Sequence, residues 1–195
     1  VLNPVLNCPG AHNAQFTATT TNLGLGGGIV LATGTASTLS GPFSQSVGQS
    51  VTSPGDADLA ALIPPYTTND ACVLEFDFVP DIDTTSTLTF DYVFGSEEYP
   101  GFTCSQYNDV FGFLLSGPGY TPAVNIALVP GTTIPVAINS INSGVPSGGY
   151  PISNCNNMGP GSPFPVYFVN NNALNGQTIA LDGFTTVLQA KAVVY

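Results

Sequence analysis

Between Leu88 and Phe94 the side chains alternate, with Leu88, Phe90, Tyr92 and Phe94 on one side and Thr89, Asp91 and Val93 on the other. Successive side chains of an extended chain point to opposite faces, so this pattern predicts a strand with one face in a core. Period-two alternation recurs along the chain, whereas helical periodicity is nearly absent. The 22 Gly and 17 Pro then cut the chain into short segments. Strands are predicted over Gly28–Thr33, Val73–Val79, Leu88–Phe94, Val110–Ser116, Asn125–Val129, Ile134–Ile141, Val166–Val169 and Thr185–Val194. Short strands joined by turns such as Ser116-Gly-Pro-Gly and Pro130-Gly131 predict an all-β fold. The expected form is an antiparallel β-sandwich of jelly-roll type with long Gly/Pro/Asn-rich loops. Asp56–Leu62 is the one expected helical turn, because Asp56 offers an N-cap before a short apolar spacing. Residues 142–163 form a long Gly/Pro/Asn-rich insertion tied down by Cys155. No internal repeat is visible, and residues 1–195 read as a single domain.

Charge narrows the function further. The chain has 12 acidic residues and one Lys or Arg, Lys191, for a net charge of -11. Binding nucleic acid through its phosphates is excluded, as is docking onto anionic lipid, because both need clustered cations. No apolar run reaches the ~18 residues that span a bilayer, so direct membrane insertion is not expected. The first residues lack a basic stretch followed by an apolar one, and the expectation is a mature or excised piece. Charged residues make up 7% of the chain, and the surface must be built from Thr, Ser, Asn and Gly. Such a neutral polar surface suits an extracellular protein.

Cys8, Cys72, Cys104 and Cys155 are widely spaced, with no C-x-x-C pair to hold zinc. Four cysteines allow three pairings, and spacing alone does not choose among them. Cys104 and Cys155 both sit in polar, loop-like segments, which favours Cys8–Cys72 with Cys104–Cys155. An oxidising compartment favours disulfides over free thiols.

The acids are unevenly placed. Asp56, Asp58, Asp70, Glu75, Asp77, Asp81, Asp83, Asp91, Glu97, Glu98 and Asp109 crowd one stretch, and Asp182 stands apart. A single Lys cannot neutralise them, so each must stay hydrated, accept hydrogen bonds, hold its proton or bind a cation. Glu97, Glu98, Asn108 and Asp109 flank predicted strands, where loops converge. Ca²⁺ takes six to eight oxygens at flexible angles, and the expected metal site draws on Glu97, Glu98, Asp109 and Asn108 with Asp56, Asp58 or Asp182. Catalysis is not expected. The one histidine, His12, lies in a polar N-terminal segment with no nucleophile assignable to it, and a glycosidase acid/base pair would have to come from distant loops.

Three segments carry a resemblance: Val73-Leu-Glu-Phe-Asp-Phe-Val-Pro80, Phe90-Asp-Tyr-Val-Phe-Gly-Ser-Glu-Glu-Tyr-Pro100 and Asn108-Asp-Val-Phe-Gly-Phe-Leu-Leu-Ser-Gly-Pro118. Together with Gly28–Gly34, Asn125–Gly131 and Asp182–Leu188, they resemble the choice-of-anchor L domain family over residues 24–190. The resemblance implies a secreted or surface-anchored domain of Bacteroidota, in large proteins exported by the type IX secretion system. Its acidic pattern falls on Asp56, Asp58, Glu97, Glu98, Asn108, Asp109 and Asp182. The family continues past the Thr-Val-Leu strand and its N-terminal strand is longer, so a longer polypeptide or a strand donated by a neighbour is expected. The resulting expectation is an adhesive module whose Ca²⁺-stiffened loops present Tyr99, Phe102, Tyr107 and Tyr150 to a cell-surface glycan or protein. The alternative is a structural subunit of a filament or appendage that binds copies of itself as a homo-oligomer.

Overall fold

The structure, a computed structural model, describes residues 1–42, 44, 51–80, 85–176 and 178–194. Asp81 and Asp83 lie outside the described residues. The chain opens with strands β1 (Leu2–Asn7), β2 (Asn13–Thr17) and β3 (Gly27–Leu31), followed by the short helix α1 (Ala57–Leu62). Next come β4 (Val73–Asp77), β5 (Ser86–Tyr92), β6 (Gly95–Ser96), β7 (Val110–Phe111), β8 (Leu114–Gly117), β9 (Tyr120–Asn125) and β10 (Val136–Ala137). A one-turn helix α2 (Ser153–Asn156) precedes β11 (Phe168–Asn170), β12 (Gly183–Thr185) and β13 (Leu188–Val194). The fold is all-β, as the alternation predicts.

The ladders are antiparallel and small. Among the described residues β1 pairs with β4, β2 with β3, β5 with β13, β7 with β10 and β8 with β9, while β12 lies between β11 and β6. These ladders do not join into the two continuous sheets of a jelly roll. The longest is β5–β13, from Leu188 opposite Tyr92 to Val194 opposite Ser86. Along β13 the side chains alternate strictly between buried and exposed, which is the period-two signature in its plainest form.

Several boundaries differ from expectation for physical reasons. The predicted Val110–Ser116 strand breaks at Gly112, where the Asn125 side chain takes the Phe113 N–H at 2.9 Å in place of a ladder partner. Ile134–Ile141 forms only the two-residue β10; the rest turns, and its polar side chains satisfy the buried backbone. Ser140 Oγ accepts from the Ala137 N–H at 2.9 Å, and Asn142 donates to the Ile138 carbonyl at 2.8 Å. An apolar run buried on all sides carries no alternation, so its shape is not readable from period alone. The N-terminal segment, expected to hold only a short strand, contains both β1 and β2.

The densest packing gathers Val129, Ile134, Val136, Ile141 and Leu188, against which Phe94, Met158, Phe164 and Phe168 lie. A second cluster joins Leu115, Ala192 and Val194 with Leu88 and Tyr120. Gly183 is required here, since a Cβ would stand 2.8 Å from the Phe168 ring and 2.9 Å from Tyr99. Away from these clusters the strand faces open onto a cavity of about 2910 Å³, lined by Phe76, Phe90, Tyr92, Phe111 and Phe113 among others. The alternating face of β5 is therefore only half-buried. The rings nevertheless meet across it, with Phe90 to Phe113 at 4.5 Å and Tyr92 to Phe111 at 4.7 Å between centroids.

Both disulfides are formed, Cys8–Cys72 and Cys104–Cys155. The first ties the end of β1 to the start of β4. The second ties the segment after β6 to α2 in the long insertion.

Candidate functional site

The short ladder of β6 with β12 sets the geometry of the acids. Ser96 pairs with Gly183, so the ladder ends with Glu97 following one strand and Asp182 preceding the other. Residues 97–100 then turn. Ser96, at the centre, donates from its hydroxyl to Asp109 at 2.7 Å and accepts the Glu98 N–H at 3.0 Å. Ser96 thus joins Glu98 and Asp109, while Glu97 and Asp182 flank the end of the ladder.

The chain's one Lys, Lys191, stands elsewhere, on β13 opposite Thr89. The Glu98 carboxyl is pushed up to about 7, first by burial and then by the charge of Asp109. Burial also raises Asp109, and the Ser96 hydroxyl pulls it partly back. Asp109 is accessible and yet ringed by protein, because the space it opens onto is the cavity. Burial raises Asp182 as well. One carboxylate oxygen each of Glu98 and Asp182 is buried with no hydrogen-bond partner among the described residues.

A carboxyl that gains protons on folding makes the folded state lose stability as pH rises. For Glu98 the advantage is complete below the ordinary value of 4.5 and lost through about 7. The protein is expected to be less stable near pH 8 than near pH 5, Glu98 contributing on the order of 1 kcal/mol after allowance for its solvent-exposed half. Urea titrations across that range should show the slope, and Glu98→Gln should flatten it. An unchanged slope in the variant would contradict the assignment.

The other expected ligands are placed differently. Asp56 caps α1, its Oδ1 accepting the Leu59 N–H at 2.9 Å, and Asp58 follows in the first turn, where the helix end favours negative charge. Asn108 is buried; its side-chain oxygen accepts the Asn139 N–H at 2.8 Å and its amide donates to the Met158 sulfur. Asp56 and Asn108 thus have structural roles, and no three His, Cys, Asp or Glu side chains among the described residues converge closely enough to hold a metal ion.

The aromatics also sort themselves. Tyr99, expected to meet a partner, is instead fully buried between Phe94 and Phe168, its hydroxyl donating to the Ile141 carbonyl at 2.5 Å. A tyrosine inside a core needs such a partner for its hydroxyl, and the sequence Glu-Glu-Tyr-Pro does not reveal it. Phe102 and Tyr107 are exposed and pack edge to face. Tyr150 is half-buried and folds back on its own turn, where a Cβ on Gly148 would come within 3.2 Å of the ring.

The segment between Phe102 and Tyr107 is anchored from several sides. Cys104 is bonded to Cys155, and its carbonyl accepts from Asn154 at 2.9 Å. The Thr103 carbonyl accepts the Ser147 N–H at 3.1 Å, and the Ser105 carbonyl accepts the Asn139 amide at 3.0 Å. The tethers to Asn139 and Asn154 were missed in sequence; the abundance of Asn in Gly-rich loops was their only trace.

A family model described as the choice-of-anchor L domain matches residues 3–195, a wider span than the segments that carry the resemblance. No curated protein and no solved structure is similar enough to count as a match. No helix among the described residues is long and apolar enough to cross a membrane.

Proposed function

The chain belongs to the choice-of-anchor L domain family, a family of secreted or surface-anchored modules, and from that premise we propose that it is an extracellular adhesive module. The observation that carries this reading is the disulfide-anchored turn that holds Phe102 and Tyr107 outside the protein. A partner can gain apolar contact there at little ordering cost, since the turn is already fixed. Two disulfides suit an oxidising, extracellular setting. The partner class is a cell-surface glycan or protein.

Ca²⁺ enters as a counter-ion for Glu97 and Asp182, with backbone carbonyls and water completing its shell. What supports it is the chemistry of these acids: the Asp182 carboxyl has a buried oxygen with no hydrogen-bond partner among the described residues, and the chain's one Lys stands on β13 opposite Thr89. Thermal melts in EDTA and in millimolar CaCl₂ test this. A native-state ion at a hundredfold excess over Kd stabilises by about 2.7 kcal/mol, and Glu97→Gln should abolish the gain. Identical melts in both buffers would remove the ion from the reading.

Adhesion is tested by coating beads with the domain and measuring retention on glycan and protein surfaces, retention on none of them counting against it. A second reading, a self-assembling subunit, is favoured by β1. Leu2, Val5 and Leu6 are 53%, 53% and 49% exposed, and among the described residues the strand pairs on one edge only, with β4. An apolar strand with a free edge is a template for a further strand. Size-exclusion chromatography separates the readings, because an adhesive module elutes as a monomer and a filament subunit does not.

A further inference from the structure

The turn from Phe102 to Tyr107 is built inside out. Its polar residues Thr103 and Ser105 are fully buried with Cys104, and the Thr103 hydroxyl has no hydrogen-bond partner among the described residues. Its two rings stand outside, Phe102 at 39% and Tyr107 at 50% exposure. An unpaired buried hydroxyl costs stability, and so does exposed aromatic surface. Folding alone favours the opposite arrangement. The rings are perpendicular, at 87° with centroids 5.5 Å apart, and so form two walls of an open corner.

The neighbours of this corner are acidic. The Phe102 N–H donates to the Glu98 carbonyl at 2.8 Å, and Asp109 lies two residues past Tyr107. Tyr107, Glu98 and Asp109 are all among the residues that line the large cavity, and Phe102 packs against Tyr107 at its side. Glu98 and Asp109 both meet Ser96 and have no lysine beside them, and Glu98 Oε2 is buried with no hydrogen-bond partner among the described residues. A cation placed there would relieve both conditions. Ring faces suit weakly hydrated organic cations, whereas a divalent metal ion keeps oxygen ligands in preference to a ring and a neutral sugar would leave the acids uncompensated.

We propose that Phe102, Tyr107, Glu98 and Asp109 form a receptor for an arginine side chain presented by a basic partner protein. Arginine fits better than lysine because its flat guanidinium stacks on a ring while its N–H groups fork onto a carboxylate. The partner's charge follows from the chain itself: a surface of net charge -11 with a single Lys attracts a basic protein over distance and repels an acidic one. This deepens the adhesive reading and rests on it by naming the partner's chemistry.

The test is fluorescence anisotropy with a labelled peptide of arginines spaced by Gly and Ser, at about 0.15 M salt to screen diffuse attraction. Matched peptides carry lysine or the neutral isostere citrulline. The arginine peptide should bind, the lysine peptide more weakly and the citrulline peptide not at all. Phe102→Ala/Tyr107→Ala leaves the net charge untouched and should weaken binding about tenfold or more. Equal affinity in that variant overturns the proposal, because it would mean attraction to the acidic surface at large; so does absence of binding by the wild type. Should the double variant fail to fold, Glu98→Gln decides, with an unchanged affinity again overturning the proposal. The bead assay keeps the two readings apart. Beads retained equally with and without the rings sink the arginine receptor and leave adhesion standing, while arginine binding without retention on any surface does the reverse.

Discussion

Tyr99→Ala is expected to lose about 3–5 kcal/mol of stability, the range for deleting a large side chain from a packed core. The ring is fully buried, touches Phe94 and Phe168, and sits against Gly183, where no other residue leaves room for it. Tyr99→Phe isolates the hydroxyl. It keeps the packing and leaves the buried Ile141 carbonyl without the donor it now has, at a cost of about 1–3 kcal/mol. Urea unfolding of the two variants gives both figures. A near-neutral Tyr99→Ala would mean that this residue is on the surface after all, free to meet a partner.

Removing the Cys104–Cys155 bond is the second large effect. The cross-link closes a segment with a sequence separation of 51, for which chain entropy gives about 4 kcal/mol. Cys8–Cys72, with a separation of 64, is worth nearly the same by that argument. The two should nonetheless part company in function. Cys8→Ala/Cys72→Ala loses stability only, because it leaves the turn carrying Phe102 and Tyr107 clamped. Cys104→Ala/Cys155→Ala loses stability and bead retention together. Equal retention by both variants, under conditions where both are folded, would show that the clamp has no part in binding.

What the sequence disclosed was what depends on neighbours along the chain. Alternation located β5 and β13, and Asp56 ahead of Ala57–Leu62 located α1, with the cap made as expected. The β8–β9 hairpin lies over the Gly117-Pro118-Gly119 turn, although the strand after it spans Tyr120–Asn125 and not the expected Asn125–Val129. Less legible was whatever is settled by distant contacts. β1 has no buried face, so it leaves no alternation to read. Residues 134–141 have no exposed face, with the same result.

The site follows the same division. That the acids would lack cations was fixed by a count of one Lys, and Glu97, Glu98, Asp109 and Asp182 do lie about Ser96. That Glu97 and Asp182 flank one ladder end depends on the register of β6 against β12, and those strands are two and three residues long. Asp56 and Asn108 look identical to ligands in sequence because a carboxylate or amide that caps a helix or tethers a loop uses the same oxygens. Tyr99 and Tyr107 could not be told apart either. Both are tyrosines in polar, turn-like surroundings, and only the fold turns one inward.

The position of Lys191 also bears on how long such a molecule lasts outside a cell. A trypsin-like protease cleaves after Lys or Arg, and this chain offers it one bond, Lys191–Ala192. The side chain is exposed, but the backbone around it is held in the β5–β13 ladder opposite Thr89. Cleavage requires an extended segment free of its partners, so β13 must first peel away, and exposed loop tips elsewhere carry nothing that such an enzyme recognises. A nearly cation-free surface therefore hides the chain from the commonest class of digestive serine protease, with no need for exceptional rigidity.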